Sequence, residues 1–95
     1  MTIKEEIARL LEQAIAEAQA RGLLPLLTAP EVTVERPQNP AHGDYASSLP
    51  LKLARTVGMN PLTIANNLAG LIKSPAQVED VSVAAPGFIN FRLNR

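Results

Sequence analysis

Residues Val78 to Leu93 read Val-Glu-Asp-Val-Ser-Val-Ala-Ala-Pro-Gly-Phe-Ile-Asn-Phe-Arg-Leu. Two strand-like runs, Val78 to Ala84 and Phe88 to Leu93, flank the turn residues Ala85-Pro86-Gly87, which is the pattern of a β-hairpin. In a strand successive side chains point to opposite faces, so Ile89, Phe91 and Leu93 share one face and Phe88, Asn90 and Arg92 share the other. The apolar set is the predicted core face. The second set joins an aromatic ring, an amide and a guanidinium, which supply stacking, edge hydrogen bonds and a phosphate contact to an unstacked nucleic-acid base. A plainer reading of the same residues places Phe88 in a small cluster under the stretch Leu23 to Leu27, with Asn90 and Arg92 solvated.

Outward from the hairpin, Ser74-Pro75 breaks a preceding helix that Asn60-Pro61 opens, an N-cap residue followed by proline in the first turn. Leu62, Ala65, Leu68, Ala69 and Ile72 give that helix its apolar stripe, and it is expected to run to about Lys73. Another helix precedes it, with Leu49, Leu53, Ala54 and Val57 at helical spacing and Gly58 near its end. Pro50 decides where that helix starts. A cap at Asp44 would bury Pro50 in the helix interior at a cost of about 3 kcal/mol, whereas a cap at Ser47 or Ser48 leaves it harmless in the first turn. The later start is favoured, with Asp44 capping a short turn before it. At the N-terminus, Ile3, Ile7, Leu10, Leu11, Ala14, Ile15 and Ala18 repeat with the period of a one-sided helix over Ile3 to Ala20. Thr2 and Glu5 read as a capping box, Glu5 and Arg9 as an i,i+4 ion pair, and Gly22 as the left-handed terminator. Leu23 to Pro30 reads as an apolar connector, Val32-Thr33-Val34 as a short strand, and Pro37 to Asp44 as a surface loop. The order α-β-α-α-β-β predicts an α+β domain in which a small antiparallel sheet carries three helices on one face, leaving the other face open.

Ninety-five residues, 46% of them apolar and 19% charged, suit one compact domain that buries roughly 60–65% of its unfolded surface. Nine basic residues balance nine acidic ones, so no long-range field draws in a polyanion and any phosphate contacts depend on local geometry. The chain has no cysteine, which removes thiolate metal sites, thiol nucleophiles and any sign of an oxidising compartment; cytoplasm is the expected location. The apolar run Leu23 to Leu27 is interrupted by Pro25 and far short of the ~20 residues that cross a bilayer, so no membrane association is expected. His42 and Asp44 are the only plausible metal-ligand pair, too few for a site. A hydrolase using Ser47 or Ser48 with His42 and Asp44 would need a converging relay that neighbours on one loop do not easily form. The scattered glycines make no phosphate loop. Binding is the expected role.

Several stretches, taken in this order and spacing, resemble the N-terminal additional domain of arginyl-tRNA synthetases over nearly the whole chain. They are Arg36-Pro37, His42-Gly43-Asp44-Tyr45-Ala46-Ser47-Ser48, Leu51-Lys52-Leu53-Ala54, Asn60-Pro61 leading a helix with Ile64-Ala65, and Ala85-Pro86-Gly87-Phe88-Ile89-Asn90-Phe91. The resemblance implies a module ahead of a class I catalytic domain, touching the outer corner of arginine tRNA where the D-loop lies and supporting aminoacylation without doing the chemistry. It implies that Phe88 is a stacking surface and that the amide of Asn90 meets a base edge; Arg92 joins them as a phosphate contact on the strand alternation alone. The His-Ile-Gly-His and Lys-Met-Ser-Lys signatures of the catalytic domain do not occur, so no catalytic residue, metal or cofactor is assigned to this chain. ATP and magnesium would belong to the parent arginine–tRNA ligase, whose catalytic domain is expected to follow Arg95, making this chain a fragment. Two positions depart from relatives: Ala85, often glycine or polar, and Pro50, usually an ordinary helix former. A free-standing protein-interaction or dimerisation module on the same fold is the alternative.

Overall fold

A computed structural model describes residues 2–24, 32–37, 43–72 and 78–93. Its elements run α1 (Ile3–Ala20), β1 (Tyr45–Ser47), α2 (Leu49–Val57), α3 (Pro61–Leu71), β2 (Val78–Ala84) and β3 (Phe88–Leu93). The three strands form one antiparallel sheet in the order β1-β3-β2. The last strand in sequence is thus the central one, and the α+β order expected from the sequence holds.

The helix ends follow their local chemistry. Thr2 Oγ1 accepts the Glu5 N–H at 3.1 Å, and α1 closes with Gly22 at φ +75°, a conformation glycine adopts without steric cost. The ion pair that forms along α1 is Glu17–Arg21 at 2.7 Å; the expected Glu5–Arg9 pair is absent among the described residues. Asn60 Oδ1 accepts the Leu62 N–H at 2.8 Å at the head of α3, with Pro61 in the first turn. The α3 stripe is set by Ile64, Ala65 and Leu68, whereas Leu62, an expected core residue, is exposed. In α2, Ser48 is the N-cap position but makes no side-chain capping bond. Instead the Ser47 hydroxyl accepts the Leu49 N–H at 3.2 Å. Pro50 falls within the first turn, where its missing N–H has no helical partner to lose.

The expected strand at Val32 to Val34 does not form. The first strand is Tyr45–Ser47, and the earlier segment contributes an isolated antiparallel bridge between Glu35 and Ala46, with paired backbone bonds of 2.8 and 2.7 Å. Val34 is buried all the same. Arg36 helps hold this segment beside β1, its Cζ lying 5.0 Å from the centre of the Tyr45 ring, within cation–π range.

Gly43 and Asp44 explain why pairing falls at Tyr45. The Asp44 N–H donates to the Phe91 carbonyl at 2.8 Å, and the Leu93 N–H donates to Asp44 Oδ2, also at 2.8 Å. Asp44 therefore clamps the end of β3 rather than capping a turn before α2, as the sequence had suggested. Gly43 has φ +112°, and a Cβ there would stand 2.8 Å from the Phe91 carbonyl oxygen. Only glycine lets the chain pass so close with that backbone.

The core lies between the helices and one face of the sheet. Ile7, Leu11, Leu49, Ile64, Leu68, Ile89 and Phe91 are its largest fully buried apolar side chains among those described, and Val81 and Val83 of β2 pack against it. Leu24 is buried in the same cluster; the rest of the apolar connector, and most of the predicted loop including His42, lie outside the described residues. Replacing Phe91 by Ala should cost about 3–5 kcal/mol in denaturant-induced unfolding, the usual toll of emptying an aromatic core site. Gly43→Ala should also lower the unfolding midpoint, because both its φ and its clearance from Phe91 are lost; a midpoint unchanged from the parent chain would refute that reading of Gly43.

Candidate functional site

Strand β3 presents the predicted set on the sheet face turned away from the helices. Register fixes its neighbours. Ala84 pairs with Phe88, Ser82 and Ala46 flank Asn90, and Asp80 pairs with Arg92. Glu35 extends the Asn90 row by one more chain through its bridge to Ala46. Phe88 is half-buried, Arg92 and Ser82 are exposed, and Asn90 is only 6% exposed.

The depth of Asn90 is the unusual feature. Alternation places it on the open face, as expected, yet it sits at the bottom of that face, with Phe88 and Arg92 on either side along the strand. The depth is that of the residue as a whole: the buried side-chain polar atom left without a partner among the described residues is Thr33 Oγ1, not the Asn90 carboxamide.

The backbone that leads into Phe88 is held in place. Gly87, the residue before it, packs so tightly that a Cβ there would lie 2.7 Å from Pro61 Cβ and 3.2 Å from Leu51 Cδ2. The hairpin turn is thereby pressed onto the start of α3 and the first turns of α2, which fixes where β3 begins. Phe88 thus belongs to a rigid element, as recognition groups do when their geometry must be preserved. The plainer reading, in which Phe88 packs beneath Leu23 to Leu27, rests mostly on residues outside those described.

Arg92 stands in a different electrostatic setting from the other two. Its register partner is Asp80, and the Asp44 carboxylate is bound to the N–H of the next residue, Leu93. Two carboxylates thus stand on the chains flanking Arg92. The sequence singled out the cation; the acids beside it become visible only with the register.

Elsewhere, an open groove between α1 and α3 of about 490 Å³ is lined by Leu10, Gln13, Glu17, Arg21, Gly70 and Leu71. Its charged groups, Glu17 and Arg21, already pair with each other. Among the described residues no three metal-ligating side chains come together, and no helix is long and apolar enough to cross a membrane.

Fold and register together define a small α+β domain whose central strand carries an aromatic ring, an amide and a guanidinium on the sheet face opposite the buried Ile89 and Phe91. The chain belongs to the arginyl tRNA synthetase N-terminal domain family, whose model matches residues 3–93. It is 41% identical over 95 residues to the arginine–tRNA ligase of Dehalococcoides mccartyi (strain CBDB1), and 36% identical over 92 residues to that of Stutzerimonas stutzeri (strain A1501). These alignments take in 100% and 97% of this chain but 17% and 16% of the two ligases, so the chain spans about a sixth of the length of these curated relatives. Among solved structures, the arginyl-tRNA synthetase of Thermus thermophilus superposes with a TM-score of 0.66 at 33% identity, covering 92% of this chain and 14% of that one. The synthetase of Plasmodium falciparum superposes with a TM-score of 0.79 at 16% identity over 97% of this chain and 16% of that one, a likeness of fold.

The Asn90 amide gives a direct stability test. Asn90→Leu, close to isosteric and without the polar atoms, should leave the unfolding free energy within about 1 kcal/mol of the parent or raise it. A loss of several kcal/mol would mean that the amide is a structural bond and not a vacant one.

Proposed function

We propose that the chain is the tRNA-recognition domain of an arginine–tRNA ligase and that the open face of β3 receives an exposed base of the D-loop of arginine tRNA. The observation that carries this reading is the register of β3, which sets Asn90 between Phe88 and Arg92 on the sheet face opposite the buried Ile89 and Phe91. A base stacked on Phe88 brings its edge toward Asn90, and an amide can donate to one edge atom and accept from another. Arg92 then faces the strand that carries the base and contacts a phosphate, its charge moderated by Asp80. Amino-acid activation and transfer fall to a catalytic domain of the same ligase, and this domain contributes position and affinity. Zero net charge accords with that division, because an accessory domain with no field of its own binds where geometry allows and leaves bulk attraction to the rest of the molecule.

The test is a titration of this chain with an arginine tRNA transcript, followed by nuclear magnetic resonance. The side-chain amide of Asn90 and the ring of Phe88 should shift, while Ile89 and Phe91 on the core face should move least. Phe88→Ala should weaken binding by about 5- to 150-fold, equivalent to the 1–3 kcal/mol of one base–aromatic stack, with the melting temperature little changed. Transcript at high micromolar concentration that leaves both signals unmoved would defeat the proposal. If instead they shift on dilution of the chain alone, the face mediates self-association, the dimerisation alternative.

A further inference from the structure

We infer that the base is held on the β2 side of β3, on a platform bounded by Phe88, Asn90, Ser82 and Ala84, in which Ser82 supplies a second hydrogen bond to the base edge and Ala84 keeps the Phe88 ring uncovered. The inference rests on the base-binding reading above and adds two residues to it.

Register is the starting point. Ser82 is the direct partner of Asn90 and Ala84 the direct partner of Phe88. Side chains directly opposite each other in an antiparallel pair lie about 4.5–5.5 Å apart at Cβ, and residues two apart along a strand are separated by roughly 6.6 Å. The four positions therefore outline a rectangle of the dimensions of one nucleobase. Of its corners, one is an aromatic ring, two carry hydrogen-bonding groups and the fourth is a methyl group too small to cover the ring. Ser82 is exposed, so its hydroxyl is open to a ligand that has already reached the Asn90 amide.

The β1 side offers no equivalent. Strand β1 ends at Ser47, opposite Ile89, and the chain then turns into α2, so the row of Phe88 has a paired neighbour only on β2. In the Asn90 row the β1 position is Ala46, which has no polar side-chain atom, and beyond it lies the exposed carboxylate of Glu35. A hydroxyl beside an amide also widens what can be read, because the hydroxyl donates or accepts as the base edge demands, while the amide supplies one fixed donor and one fixed acceptor.

Binding of this chain to arginine tRNA transcripts, native or with single D-loop bases replaced, tests the assignment. Ser82→Ala should weaken binding to the native transcript by roughly three- to tenfold, the worth of one net hydrogen bond. The loss should disappear on the transcript whose contacted base has been replaced; a purely structural effect would persist on every transcript. Ala84→Ile, a residue suited to a strand, should block binding more strongly while leaving the melting temperature within a few degrees of the parent. Binding unaffected by Ser82→Ala and Ala84→Ile, yet weakened by Phe88→Ala and Asn90→Ala, would overturn the β2-side platform alone. Binding unaffected by all four would overturn the base-binding reading itself. Should Ala46→Ile block where Ala84→Ile does not, with both variants folded, the base lies on the β1 side and the inference is wrong.

Discussion

Strand β3 is paired on both edges, and the rest of the domain is arranged by that double pairing. Ile89 and Phe91 have no solvent exposure because β1 and β2 close their flanks while the helices cover their face. Satisfying the strand's backbone on both sides makes burial affordable, since a buried N–H or carbonyl left without a partner costs about as much as a lost hydrogen bond. The clamp at Asp44 completes the arrangement at one end, where a carboxylate takes the N–H of Leu93. The turn against Pro61 and Leu51 completes it at the other. A strand fixed along both edges and at both ends is a firm base for side chains pointing the opposite way.

Most of this could be read from the sequence wherever a signal was local. Thr2, Asn60 and Gly22 define helix ends through contacts within a few residues, and the hairpin from Val78 to Leu93 carries its own alternation and turn. The first strand could not be read. Val32-Thr33-Val34 has the β-branched residues that favour a pleated, half-buried strand, whereas Tyr45-Ala46-Ser47 has one strand-favouring residue in three. Pairing went to the second because Gly43 and Asp44 dock on β3, a contact spanning 49 positions of sequence. Asp44 was misread for a related reason: a carboxylate that accepts a backbone N–H looks the same in sequence whether that N–H belongs to a helix or to a strand.

The site was legible in direction but not in depth. Period two assigns Phe88, Asn90 and Arg92 to one face, and the structure keeps them there. It does not say that Asn90 is buried while Arg92 is exposed, because burial depends on which side chains the neighbouring strands place alongside. Ser82 was equally hidden, since a serine among valines is unremarkable until register sets it against Asn90.

The position of β2 has a bearing on solubility. It is an outer strand of the sheet, and an outer strand shows a row of backbone donors and acceptors that another chain's strand could complete. Here that margin begins with Glu79 and Asp80, both exposed, and its register slips between Val78 and Asp80. Adjacent carboxylates repel a second copy of themselves, and the irregularity breaks the even spacing that a docking strand would need. The outer strand can thus stay unpaired along that margin without inviting copies of the domain to stack edge to edge into fibrils.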